Sequence, residues 1–175
     1  GFTRTAFITS ESDLTVEIMV SRGLGATGAI LVDYEGRGGA NLSANQIGGV
    51  TFSRRLPDGD EYPDTIQDKF VPGVAAVAGQ DFIAAEGTLE FRDFEMSKTF
   101  EVALIPNLDG EAFPFTMAEL VLSNPRAAEG EPESVQPVLN TEFATATLRI
   151  NDVLGGPALD LIWEQEIWPD STEAG

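Results

Sequence analysis

Hydrophobic and polar positions alternate with period two along most of the chain. Leu14, Val16, Ile18 and Val20 alternate with Thr15, Glu17 and Met19. Phe100, Val102 and Leu104 alternate with Thr99, Glu101 and Ala103, and Ala144, Ala146, Leu148 and Ile150 with Thr145, Thr147 and Arg149. Such alternation puts one set of side chains on a buried face and the other in water, the pattern of half-buried strands. Shorter runs at Phe7-Ile8, Ala29 to Tyr34, Gly87 to Phe91 and Ala118 to Leu122 complete about seven strands. Gly and Pro punctuate them, and no stretch has a convincing helical period. The pattern predicts an all-β, antiparallel sandwich. Its centre is residues 76–107, where a Gly-x-Asp-aromatic corner (Gly79, Asp81, Phe82) precedes two strands. Ser123-Asn124-Pro125 is expected to end the 118–122 strand, because Pro cannot donate to a ladder.

Two stretches depart from this rhythm. Gly23-Leu24-Gly25-Ala26-Thr27-Gly28 matches the GxGxxG dinucleotide-binding pattern. That pattern needs a helix directly after it to receive the pyrophosphate. A strand follows instead, so the glycines read as a hairpin turn, where positive φ costs them little. Residues 37–72 form a long acidic insertion in which only Val50 to Phe52 looks strand-like. Its acids, Asp58, Asp60, Glu61, Asp64 and Asp68, lack EF-hand spacing. It reads as a solvated loop, or as a functional one given its length. Asn41-Leu42-Ser43 within it is a glycosylation sequon if the protein passes through a eukaryotic secretory pathway.

At 175 residues the chain can bury roughly 70% of its unfolded surface in a single domain. It has no cysteine and no histidine, which excludes disulfides, His-based catalysis and nearly every zinc site. The 29 acids against 10 bases give a net charge of -19, which speaks against nucleic acid and anionic membranes as partners. Cations or basic surfaces suit it better, and the acidity also suits an extracellular, solubilising surface. No apolar run approaches the ~18 residues of a membrane helix. Without a starting Met or visible signal peptide, the chain reads as an excerpt of a longer secreted or surface protein with neighbouring domains. Paired carboxylates could in principle serve a glycosidase, but no further motif supports one and the reading is non-catalytic.

The order of these motifs resembles the Calx-β domain family. The resemblance rests on Phe7 to Glu11, Val32-Asp33-Tyr34, the corner Val74 to Phe82, Gly-Thr-Leu-x-Phe at 87–91, Lys98 to Leu104, Leu122 to Pro125, and Ala144 to Asp152. It covers residues 5–153, interrupted by the insertion, and leaves 154–175 as a linker or added edge strand containing Trp163 and Trp168. It implies an immunoglobulin-like Greek-key sandwich and calcium at one end. Calcium requires six to eight oxygens, so several carboxylates must converge. The implied ligands are Glu11, Asp81 and Asp152, with Asp109 or Glu111 substituting for an acidic pair that here falls on Pro106-Asn107. So few acids imply a weak calcium site or a degenerate one. The resulting expectation is a module for adhesion or architecture. The alternative is a carbohydrate- or protein-binding module using the insertion or the Trp163/Trp168 tail.

Overall fold

The computed structural model describes residues 1–55, 66–106 and 114–152. Ten strands form among them. They are β1 (Ala6–Ser10), β2 (Thr15–Ser21), β3 (Ile30–Arg37), β4 (Gly49–Arg55), β5 (Ile66–Pro72), β6 (Val74–Ala75), β7 (Ala85–Phe91), β8 (Ser97–Ala103), β9 (Phe115–Ala127) and β10 (Thr145–Asn151). One short helix, α1 (Ala44–Ile47), lies between β3 and β4.

The main sheet runs β1-β10-β9-β3-β7, with β6 also pairing β9. β2 and β8 pair antiparallel to make the facing sheet, which Phe2 extends by bridging Val20 and Phe82 by bridging Leu104. The named strands pair antiparallel except that β1 runs parallel to β10 and β6 parallel to β9. Between the sheets, Ile18, Val20, Phe91, Val102, Leu120, Leu148 and Ile150 are almost wholly buried. These are inward residues of the alternation; Leu14, expected on the same face, instead lies in the turn before β2 with φ 60° and is 58% exposed.

An aromatic contact joins the two sheets. Tyr34 on β3 stacks on Phe100 on β8, with ring centroids 4.0 Å apart and planes 17° apart. Gly87 pairs with Tyr34 across the sheet. A Cβ on Gly87 would lie 2.8 Å from the Tyr34 hydroxyl and 3.0 Å from its ring. The glycine of the Gly-Thr-Leu-x-Phe strand therefore makes room for the tyrosine, which covers it and reaches the other sheet.

Three sequence expectations are corrected. The glycine segment after β2 is not a hairpin turn, because β2 and β3 belong to different sheets and the segment carries the chain between them. Alternation reveals strands but not their pairing. Second, β9 does not end at Ser123 to Pro125 but continues to Ala127. Leu31 pairs with Arg126 and Asp33 with Ser123, so Asn124 and Pro125 together oppose Val32. This is a β-bulge, a place where a strand tolerates Pro without an N–H. Asn124 adopts φ 50° there. Asp33 pins the bulge, accepting from Asn124 Nδ2 at 2.8 Å, Arg126 Nη1 at 2.9 Å and Thr88 Oγ1 at 2.6 Å.

Third, the described part of the insertion is not an irregular solvated loop. β4 and β5 pair along seven residues each, and the segment before them packs on the main sheet. Phe115 and Met117 project from β9 on the side away from the sandwich core, yet both are buried, clustered with Leu42 and covered by Ile47 and Val50. The insertion thus gives the outer face of the main sheet a second, small core. The strand Ile66–Pro72 escapes pattern reading because Gln67-Asp68-Lys69 breaks its alternation. Residues 56–65 and the 153–175 tail, with Trp163 and Trp168, lie outside the described residues.

Replacing Gly87 with Ala should push Tyr34 off Phe100 and lower stability by about 1–3 kcal/mol, as overpacking does, measured by urea unfolding. The hydrogen bonds from Thr88, Asn124 and Arg126 hold the Asp33 carboxyl down at about 2 in the fold, below its ordinary 3.8. A depressed folded-state pKa contributes stability above the unfolded value and loses it as pH falls through the folded one. Stability measured from pH 5 to pH 2 should therefore fall more steeply for the wild type than for Asp33→Asn, the two curves converging near pH 2.

Candidate functional site

The strand directions bring most candidate acids to one end of the sandwich. Parallel pairing places Ser10 opposite Asn151, so the chain leaves β1 and β10 at the same edge, with Glu11 and Asp152 as the next residues. Glu11 opens a 3-10 turn, Glu11–Asp13, that leads into β2. Leu14 closes this turn and its carbonyl accepts from Leu104 N–H at 2.7 Å. The same end of β8 meets the corner: Phe82 bridges Leu104, and Ile105 N–H donates to Asp81 O at 2.9 Å. Asp152 N–H donates to Pro114 O at 3.4 Å, which adds the start of β9.

Glu11 is 3% and Asp81 5% exposed, unusual values for acids in a chain with so many on its surface. The Asp81 side chain has a structural task. Its Oδ2 accepts from Val77 N–H at 2.5 Å, closing a turn in which Gln80 N–H and Asp81 N–H donate to Val77 O and Gly79 N–H to Phe82 O. Gly79 takes φ 87°, which a residue with a side chain adopts only with strain, and this explains the glycine two residues before the acid. Phe82, fully buried, anchors the corner in the core.

Two residues at this end carried no family signal. Asp13 is a fourth acid, but it serves as a cap: its Oδ2 accepts from Ser10 N–H at 2.9 Å and from Thr9 Oγ1 at 3.0 Å. Those two donors, the Ser10 amide foremost, hold its carboxyl below the ordinary carboxylate value. The Ser10-Glu11-Ser12-Asp13 run is the capping pattern that would have shown it. Thr116 is 6% exposed and its Oγ1 has no hydrogen-bond partner. It pairs with Ile150, which pairs with Thr9. Thr9, Ile150 and Thr116 form the last inward-facing row of the main sheet before Glu11 and Asp152. Nothing in the sequence marks a buried, unsatisfied threonine.

Asn151, which stands where an acid was expected, accepts from Arg149 Nε at 2.8 Å, and the Arg149 guanidinium lies 3.9 Å over the Phe115 ring. Asp109 and Glu111 lie outside the described residues, although Pro106 and Pro114 flank them at this end. Among the described residues, no three acids converge closely enough to hold a metal ion. Glu11, Asp81 and Asp152 therefore share an end of the fold without forming a closed ligand set.

No protein-family model and no curated protein matches the sequence. Solved structures do match it. The Calx CBD2 domain superposes over 92% of this chain and 91% of its own, with TM-score 0.59 and 17% identity. The apo form of the Calx CBD1 domain covers 86% of this chain and 93% of its own, with TM-score 0.53 and 20% identity. This chain has the fold of the Calx-β domains. The calcium binding domain CBD12 of CALX1.1 matches 86% of this chain over 43% of its own length, with TM-score 0.54 and 19% identity. Within the Calx-β fold, the end that gathers Glu11, Asp81 and Asp152 is where the corner, both terminal strands and the start of β9 meet. Among the described residues, no helix is long and apolar enough to cross a membrane.

Because Asp81 satisfies the Val77 amide, Asp81→Ala should leave a partly buried donor without its partner and open the turn. It should lower stability by about 1–3 kcal/mol in chelator, with no cation present, as measured by denaturant unfolding.

Proposed function

We propose that the chain is a non-catalytic β-sandwich module of a longer secreted or surface protein, and that it binds calcium weakly at the end holding Glu11, Asp81 and Asp152. The observation that carries this reading is the burial of Glu11 and Asp81 at the end of the sandwich where the buried Thr116 hydroxyl has no hydrogen-bond partner. Carboxylate and hydroxyl oxygens are hard donors that suit calcium, and desolvated carboxylates gain most from a cation. The donor set fits calcium in kind and falls short in number. Asp109 and Glu111 are the acids proposed to complete it, together with water. Few charged ligands mean an affinity in the range of extracellular modules, about 10⁻⁴–10⁻³ M.

The fold serves architecture without the cation, since the core between its sheets and the second core on its outer face are apolar clusters that include no carboxylate. The likeness to a solved calcium binding domain supports the reading of the site, and the acidic surface supports an extracellular setting. Contact with a protein or glycan through the insertion would use Phe70 on β5, which is 60% exposed.

A thermal melt in several millimolar calcium should rise by about 2–8 °C over the melt in chelator, because a ligand that binds only the native state at 5–50 times its Kd adds roughly 1–2 kcal/mol. Magnesium should not reproduce the rise. Asp81→Asn keeps an oxygen for the Val77 amide while removing the charge, so it should melt near wild type in chelator and lose the calcium shift. An unshifted wild type would show that the acids no longer form a site.

A further inference from the structure

The opposite end of the sandwich is built from three tied segments: the crossover 22–29, the turn 92–96 between β7 and β8, and the strap 128–140. Phe94 N–H donates to Ala26 O, Arg22 N–H to Met96 O and Gly28 N–H to Asp93 Oδ1, each at 2.8 Å. Ala29 N–H donates to Glu131 Oε1 at 2.8 Å, and Ala128 N–H to Ala29 O at 3.0 Å. The Arg22 guanidinium donates to the carbonyls of Thr27 and Gly28 at 2.6 and 2.7 Å. This end is therefore cross-braced rather than a set of independent loops.

A cleft of about 810 Å³ opens among these segments, of a size that takes a bulky side chain or a small molecule. Its floor is the sandwich core itself, Val20, Val32, Phe91 and Leu122, and the strap adds Val135 and Val138. Beside it stand apolar residues in costly conformations. Leu24 has φ 62° and is fully exposed; Phe94 has φ 65° and is 72% exposed. Bulky residues at positive φ are genuine outliers, and strain of this kind collects at functional sites. Leu24 stands between Gly23 and Gly25, in a stretch that already uses glycine freely. Val138 is 85% exposed.

We infer that this end is a docking surface for a polypeptide segment presenting apolar side chains flanked by Lys or Arg. An apolar side chain fills the cleft, Leu24 and Phe94 clasp its neighbours, and the strap meets the cationic flanks. Residues 128–143 carry Glu129, Glu131, Glu133 and Glu142 and no base, on a chain of net charge -19. That charge disfavours an acidic partner and a second copy of this chain. A small apolar ligand would use the cleft but not Phe94, which lies outside its lining. The strained aromatic on the neighbouring turn thus favours an extended polypeptide.

The test is selection of a displayed random dodecapeptide library on the full chain, followed by anisotropy titration of the enriched peptides. Enriched sequences should pair Leu, Ile, Phe or Trp with Lys or Arg. Their affinity should fall about tenfold or more for Leu24→Asn and for Phe94→Asn, as truncation of interface anchors does. Asn tolerates positive φ, so both variants should melt no lower than the wild type. Binding should weaken in high salt and persist in chelator and in Asp81→Asn, which separates it from the calcium reading. The proposal is overturned if nothing enriches, if enriched peptides lack the apolar–basic pairing, or if they bind both variants equally well. It is overturned equally if the variants melt lower by several degrees, which would make Leu24 and Phe94 structural. Saturable binding of a neutral apolar dye without peptide binding, or self-association in sedimentation, would replace it with a small-ligand site or a homodimer face.

Discussion

The stacking of Tyr34 on Phe100 ties the two sheets together at one fixed point. It needs a strand partner without a side chain, which Gly87 supplies, and a facing strand that presents an aromatic at the matching position, which β8 does. Once these three are in place, the inward rows of β3, β7 and β8 are fixed, because a one-residue slip would turn every apolar side chain outward. The two ends of the sandwich then follow. At one, the corner after β6 meets the end of β8; at the other, the crossover after β2 meets the turn before β8. Both candidate sites are consequences of how strand ends fall once the sheets face each other.

The two ends differ in what they bury. One buries carboxylates, which costs desolvation energy. The other opens a cleft onto the core beside Leu24 and Phe94, exposed residues at positive φ, a conformation that Leu14 shares at the first end. Between them the molecule is an ordinary, well-packed sandwich. A chain so acidic can hold charge anywhere on its surface, so the burial of Glu11 and Asp81 is more informative than their presence.

Much of the fold was legible because alternation reports burial directly. Ile18, Val20, Val102, Leu148 and Ile150 were all read inward and all are buried. The rest was not, for identifiable reasons. Pairing between sheets leaves no local trace, so the glycine crossover looked like a hairpin. Pro125 looked like a terminator because its bulge depends on Val32 from another strand. The β5 strand has polar residues at its centre, and Phe115 and Met117 belong to a second core that only the insertion creates. Motif order singles out Glu11 and Asp81 as candidate ligands, and the structure adds that both are buried, which the order of motifs does not say. Thr116 was not readable, because a lone threonine in a strand acquires meaning only from the missing partner for its hydroxyl.

The parallel pairing of β1 with β10 bears on how the chain reaches this state. Ala6 pairs with Thr147, so the first of the described strands finds its partner only in the last of them. Contacts this distant in sequence close a large loop and raise the relative contact order, which slows folding. During synthesis, Ala6–Ser10 waits with its backbone donors and acceptors unpaired until Thr145–Asn151 has been made. In that interval Phe7 has no neighbouring strand to carry it into the core, and Ile8, still 67% exposed in the finished fold, lies beside it. Co-translational vulnerability, to aggregation or to capture by a chaperone, is thus concentrated in the five residues that lead into Glu11.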